Sequence, residues 1–182
     1  RRVLFRSDTG TFHGRSYFVM EYIEGHTLKD WLAQSKRPVD EIRTIFTGIA
    51  KALGAAHKAE PDKVVHRDLK PGNVMVRPDN EVKVLDFGLA KRSSDPDLTQ
   101  HSPNQPRPGT PSYRSPERTS GEDGDETADW WAFGVMLFEA LTGQHPFRAA
   151  NREAFLNAIQ YSEVNYSLLP ANVPPDWKQL LE

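Results

Sequence analysis

Asp68, Lys70, Asn73 and Asp86 are the residues whose types and spacing could do chemistry together. The first three share one run, VVHRDLKPGNVMV (Val64 to Val76), which ends in the short apolar segment NVMV. A second such segment, EVKVL, follows after RPDN, where Pro78, Asp79 and Asn80 supply turn chemistry. The pattern predicts a hairpin. Asn73 precedes its first strand and Asp86 follows its second, so an antiparallel pairing puts both at the same end. An amide oxygen and a carboxylate are hard ligands, suited to a Mg²⁺ shared with phosphates. Asp68 is available to hold an incoming hydroxyl, and Lys70 offers positive charge to a transferring group. Base, cation and two metal ligands make a constellation for phosphoryl transfer.

The elements that must hold this loop are legible around it. RSYFVMEYI (Arg15–Ile23) is rich in aromatic and β-branched residues and reads as a strand. Gly25 breaks it, and TLKDWLAQ reads as a short helix with Thr27 as N-cap. From Asp40 to Lys58, Ile42, Ile45, Phe46, Ile49, Leu53 and Ala56 fall near helical spacing, which predicts an amphipathic helix with one face inward. DWWAFGVMLFEALTG is apolar on nearly every face and should run through the middle of the core, ended by Gly143. NREAFLNAIQ reads as a more exposed helix, and a last one starts at Pro174 and Pro175. From Lys91 to Gly109 the chain is polar, proline-rich and aperiodic, the pattern of a long functional loop. GTFHG (Gly10–Gly14) and GEDGDE (Gly121–Glu126) lack the glycine spacing of a phosphate loop and read as turns.

HRDLKPGN (His66–Asn73), DFG (Asp86–Gly88), GTPSYRSPE (Gly109–Glu117) and DWWAFGVM (Asp129–Met136) stand in the order and spacing of the protein-kinase signature set. Each is weak alone; four in register are specific. From about Asp8 onward the chain resembles a protein kinase of the Ser/Thr type, in the style of bacterial eukaryotic-like kinases. The implied fold class is α+β, a mainly helical C-terminal lobe with a small hairpin and the last strands of an N-terminal lobe. The resemblance implies ATP and Mg²⁺ as cofactors. Asp68 would be the catalytic base, Lys70 would contact the γ-phosphate, and Asn73 and Asp86 would bind the metal. Met20 stands at the gatekeeper position, Glu21 and Ile23 would offer hinge backbone to adenine, and Met75 would pack beneath the ring. Core filling is the plain alternative for both methionines. His66, Phe87 and Asp129 resemble the structural anchors of the site; Asp129 could also serve as a simple helix N-cap.

Lys70 two positions after Asp68, with Thr110 before PSYRSPE, resembles Ser/Thr kinases and not tyrosine kinases. The implied partner is a protein carrying a Ser or Thr acceptor, and a dimer for trans-autophosphorylation. Thr27 and Gly72 are not acidic, so strong selection for basic residues before the target is not expected, and Arg114 leaves the target sequence open. Arg67 and Lys91 resemble the pair that binds a phosphorylated activation-loop residue. Thr99 and Ser102 are the first candidates for that residue, with Ser93 and Ser94 behind them. The resemblance also pairs Glu117 with an Arg of a later segment; buried without that cation, the carboxylate would cost about 3–5 kcal/mol.

Composition sets the outer bounds. The chain has 182 residues, 23 basic against 25 acidic, and no cysteine. This gives no global basic field for nucleic acid, no disulfide or thiolate metal site, and a usage that fits the cytoplasm. No apolar run approaches the roughly 20 residues of a membrane span. Arg1–Ser7 resembles the translated end of a sequencing adapter and is expected to be non-native. Residues 8–25 then read as the end of an N-terminal lobe with its hinge, and 26–182 as a C-terminal lobe cut short at its end. No Gly-rich loop, third-strand Lys or C-helix Glu appears before Asp8, so the fragment alone is expected to be inactive. A pseudokinase scaffold and a small-molecule phosphotransferase are the alternative readings.

Overall fold

The computed structural model describes residues 8–13, 15–19, 21–61, 63–87 and 111–181. Met20, Lys91, Ser93, Ser94, Thr99, Ser102 and Thr110, together with segment 1–7, lie outside them. Strands β1 (Asp8–Phe12) and β2 (Arg15–Val19) form an antiparallel hairpin, in register from Asp8 opposite Val19 to Phe12 opposite Arg15. Two expectations are corrected here. Gly10 to Phe12, read as part of a turn, belong to β1 because β2 supplies a cross-strand partner for each of them. The strand expected to reach Ile23 stops at Val19, and residues 21–24 are irregular.

Gly25 then redirects the chain with φ +146, and a Cβ there would stand 2.3 Å from the Val76 carbonyl oxygen. Only glycine combines that backbone angle with so close an approach. The turn delivers β3 (His26–Thr27) onto β4 (Val74–Val76), which in turn pairs with β5 (Val82–Val84), all antiparallel. The predicted hairpin is therefore the inner part of a three-stranded sheet. Its turn closes as the residue types suggest: Asn80 takes φ 62, and Asp79 Oδ1 accepts the Glu81 N–H at 2.9 Å.

Six helices carry the rest of the described fold: α1 (Leu28–Gln34), α2 (Val39–His57), α3 (Pro116–Thr119), α4 (Glu126–Thr142), α5 (Arg152–Tyr161) and α6 (Pro175–Leu181). Thr27 caps α1 by accepting the Asp30 N–H at 3.1 Å, as its position suggests. The six apolar residues expected on one face of α2 are all buried. Helix α4 buries residues on almost every side, Ala132, Phe133, Met136, Leu137 and Leu141 among them, and meets α2 edge to face through Phe133 and Phe46 at 5.4 Å. It ends at Gly143, whose left-handed φ of 71 lets its N–H reach the Glu139 carbonyl at 2.8 Å. Its N-cap is Asp125, which accepts the Thr127 N–H at 2.8 Å. Asp129 is not the cap; it lies one turn inside, where its side chain is buried. The architecture is the expected α+β arrangement, with α2 packed against β5 of the three-stranded sheet and α4 packed against α2. Among the described residues no helix is long and apolar enough to cross a membrane.

Candidate active site

The loop from His66 to Asn73 carries little regular structure, so side chains must fix its course. Asp129, 1% exposed, does most of this. Its Oδ2 accepts the His66 backbone N–H at 2.7 Å and its Oδ1 the Arg67 N–H at 2.8 Å. His57, the last residue of α2, donates Nε2–H to the same Oδ2 at 2.9 Å. A carboxylate buried this deeply is tolerated because three donors replace its water. These bonds also hold Arg67 at φ 63, a left-handed conformation that a non-glycine residue adopts at a cost of roughly 1–3 kcal/mol.

His66 closes the opposite side. Its side chain is fully buried, and Nε2 lies 2.7 Å from the Leu85 carbonyl, which can only accept. Nδ1 accepts the Asp68 N–H at 3.2 Å, so the ring is the neutral tautomer with its hydrogen on Nε2. Burial lowers its pKa below the ordinary 6.5, against the opposing pull of the Leu85 hydrogen bond and of Asp129 and Asp68. The buried Phe87 ring lies against it at 4.7 Å. His66 thus links the loop before β4 to the residue that follows β5.

Within this frame the polar residues converge. Lys70 Nζ donates to Asp68 Oδ2 at 2.5 Å. Asn73 Nδ2 donates to the Asp68 carbonyl at 2.9 Å and reaches Asp68 Oδ2 at 3.4 Å. The Asn73 nitrogen is thereby committed to the loop, leaving its side-chain oxygen as the atom to offer a ligand. Val74 pairs with Val84, and the Leu85 N–H donates to the Asn73 carbonyl at 2.7 Å. Asp86 is the next residue, exposed, at φ 58. The structure thus brings Asp68, Lys70 and Asn73 into one cluster and sets Asp86 at the same hairpin end.

The remaining sequence candidates are placed more loosely. Met75 is half-buried on β4 opposite Lys83, and Lys83 Nζ bonds the exposed Glu21 carboxylate at 2.5 Å. Ile23, two residues after Glu21, is half-buried. Glu117 opens α3 and accepts a hydrogen bond from the Ser115 hydroxyl. It is half-buried and not fully enclosed, which corrects the expectation of a buried carboxylate with no compensating donor. Arg67 presents buried Nε and Nη1 atoms that have no hydrogen-bond partner among the described residues.

Sequence reasoning missed two supports. His57 continues the buried α2 stripe four residues after Leu53, and a polar residue on such a face signals a partner. Tyr113 donates its hydroxyl to Glu139 Oε2 at 2.7 Å, and burial together with that carboxylate pushes its pKa well above 10. That pair joins positions 26 residues apart, with no local pattern to announce it.

The family model described as "Protein kinase domain" matches residues 5–181. The chain is 38% identical over 177 residues to a probable serine/threonine-protein kinase PknB of Lactococcus lactis, covering 97% of this chain and 27% of that protein. A probable serine/threonine-protein kinase of Clostridium acetobutylicum is 40% identical over 169 residues, 92% of this chain and 25% of the relative. Protein kinase C-like 1 of Candida albicans is 36% identical over 154 residues, 85% of this chain and 13% of its own length. The chain spans about a quarter or less of the length of these relatives.

Proposed function

The chain belongs to the protein kinase domain family, and from that premise we propose that it carries the catalytic loop of a Ser/Thr protein kinase. The reaction is transfer of the ATP γ-phosphoryl group to a Ser or Thr hydroxyl of a protein. One observation carries this reading: Asp68, Lys70 and Asn73 form a single hydrogen-bonded cluster, with Asp86 at the same end of the hairpin. The names of the bacterial relatives, which are serine/threonine-protein kinases, support the acceptor class.

Asp68 accepts the acceptor's hydroxyl proton, and its backbone is held by His66, itself fixed to the buried Asp129 carboxylate. Lys70, poised on Asp68 at 2.5 Å, carries its charge to the transferring group. The donor set fits Mg²⁺: the Asn73 oxygen is the unused end of its amide, and the Asp86 carboxylate is exposed. Bound there, the metal supplies charge neutralisation between phosphates. By the family resemblance the backbone of Glu21 and Ile23 would meet the adenine and Met75 would pack beneath it; the Lys83–Glu21 pair ties the 21–24 segment to β5 and supports this. The two Arg67 nitrogens that have no partner among the described residues suit a phosphorylated residue of the 93–102 segment, to be checked by phosphosite mass spectrometry of the active protein.

The test is a transfer assay on the full-length protein with γ-labelled ATP, followed by phosphoamino-acid analysis. Label on Ser or Thr that requires Mg²⁺ supports the reading. Nucleotide binding with no transfer under any acceptor condition would replace it with a pseudokinase scaffold.

A further inference from the structure

We propose that His145 is a positioning residue that holds the wall of the acceptor site through the Ser112 carbonyl; the inference rests on the phosphoryl-transfer reading of that site. The pocket beside Asp68 is lined on one side by Arg67, Asp68 and Lys70, and on the other by Tyr113, Arg114 and Arg118. Tyr113, Arg114 and Arg118 are therefore the residues of the 112–118 segment that an acceptor chain would meet as it approaches the base.

That wall has weak internal structure. It consists of a single 3-10 turn, Pro111–Tyr113, and the four-residue helix α3. Its position must come from behind. Tyr113 is held by Glu139 of α4 at 2.7 Å. His145, in the turn after α4, supplies a second tether, with Nε2 2.8 Å from the Ser112 carbonyl oxygen. A carbonyl only accepts, so Nε2 carries hydrogen. On the other side of the ring, Nδ1 lies 3.1 Å from the Phe147 N–H and 2.8 Å from the Phe147 carbonyl. Both ring nitrogens are thus engaged, Nε2 by Ser112 and Nδ1 by Phe147. The half-buried ring is further confined by Tyr113, Phe147 and Phe155, with centroids at 6.0, 6.1 and 5.4 Å. A ring engaged at both nitrogens and packed against three aromatic side chains is a stop against which a loosely structured segment can be set.

His145 does not line the pocket and reaches it only through the Ser112 carbonyl and the neighbouring Tyr113 ring, so its loss should weaken acceptor binding and leave the chemical step alone. Side-chain reach separates the tether from mere packing. The amide nitrogen of Gln can take the place of Nε2, whereas that of Asn reaches only the place of Nδ1. The experiment compares His145→Gln, His145→Asn and His145→Ala in the full-length protein, with myelin basic protein as acceptor. Asn and Ala should raise the acceptor KM about three- to tenfold, the loss of one hydrogen bond. The kcat and the KM for ATP should stay within about twofold, and Gln should restore the acceptor KM. Amide hydrogen exchange of residues 112–118 should quicken in Asn and Ala and return to normal in Gln. Unchanged exchange in Ala, Gln behaving like Ala, or a fall in kcat at constant acceptor KM would each overturn the proposal. If the unsubstituted protein transfers no phosphate, the kinase reading fails, and hydrogen exchange alone still decides the tether.

Discussion

Replacing Asp129 by Ala would remove three hydrogen bonds at once. The carboxylate is 1% exposed and accepts from His66 N–H at 2.7 Å, Arg67 N–H at 2.8 Å and His57 Nε2–H at 2.9 Å. Each bond to a charged acceptor is worth about 1.5–3 kcal/mol, and a buried donor left without a partner costs a similar amount. Water entering the vacated space offsets part of this, so the net loss should be about 4–6 kcal/mol. Against a domain stability of about 5–15 kcal/mol, that approaches unfolding. Asp129→Asn is milder. Its amide oxygen can keep His66 and His57, but its NH₂ then faces the Arg67 N–H, one lost bond and a clash of donors worth about 2–3 kcal/mol. Urea unfolding followed by tryptophan fluorescence would measure both, Trp130 being the next residue along α4. A double variant with His57→Ala should cost less than the sum of its parts, because both remove the same bond. If Asp129→Ala lay within about 1 kcal/mol of the unsubstituted protein, or if Asn cost more than Ala, the anchoring scheme would be wrong.

Gly25→Ala should lower stability by at least about 2 kcal/mol, through φ +146 and the close Val76 carbonyl, as read by the same unfolding curves. Gly121→Ala, at φ +101 but with open space around it, should cost less, since only the backbone term remains. The pH dependence follows from His66, whose pKa is lowered in the fold, chiefly by burial. Its neutral form is favoured, so its contribution is complete above the unfolded value of 6.5 and is lost as pH falls from there toward the folded value. Unfolding curves taken downward from pH 7.5 should show this slope, and His66→Phe should be less stable at pH 7.5 yet flatter below it.

Sequence reasoning reached the parts of this site whose cause is local. Pro78, Asp79 and Asn80 specify the turn between β4 and β5, and that turn alone carries Asn73 and Asp86 to one end. The periodicity of α2 and the all-round apolarity of α4 located the two helices behind the loop. Contacts between distant segments were not legible. Strand β3 has only two residues, too few for any alternation to register. Asp125 and Asp129 both precede the apolar run of α4, and only the fold shows that the first caps the helix while the second turns inward to the loop. Glu139 and His145 look like ordinary polar residues of a helix end and a turn until the 111–118 segment is laid over them. These are supports whose partners lie tens of residues away, so no short window contains both halves.

The central claim is that Asp68 serves the acceptor while Asn73 and Asp86 serve the nucleotide and its metal. It is tested most directly by comparing Mg²⁺–ATP binding and single-turnover transfer in the full-length protein and its Asp68→Asn and Asp86→Asn variants. The account predicts that Asp68→Asn keeps Mg²⁺–ATP affinity within about threefold while transfer falls by about 10²–10⁴-fold. Asp86→Asn should lose the Mg²⁺ dependence of nucleotide binding along with transfer. Full transfer by Asp68→Asn, or Mg²⁺–ATP binding unaffected by Asp86→Asn, would contradict it.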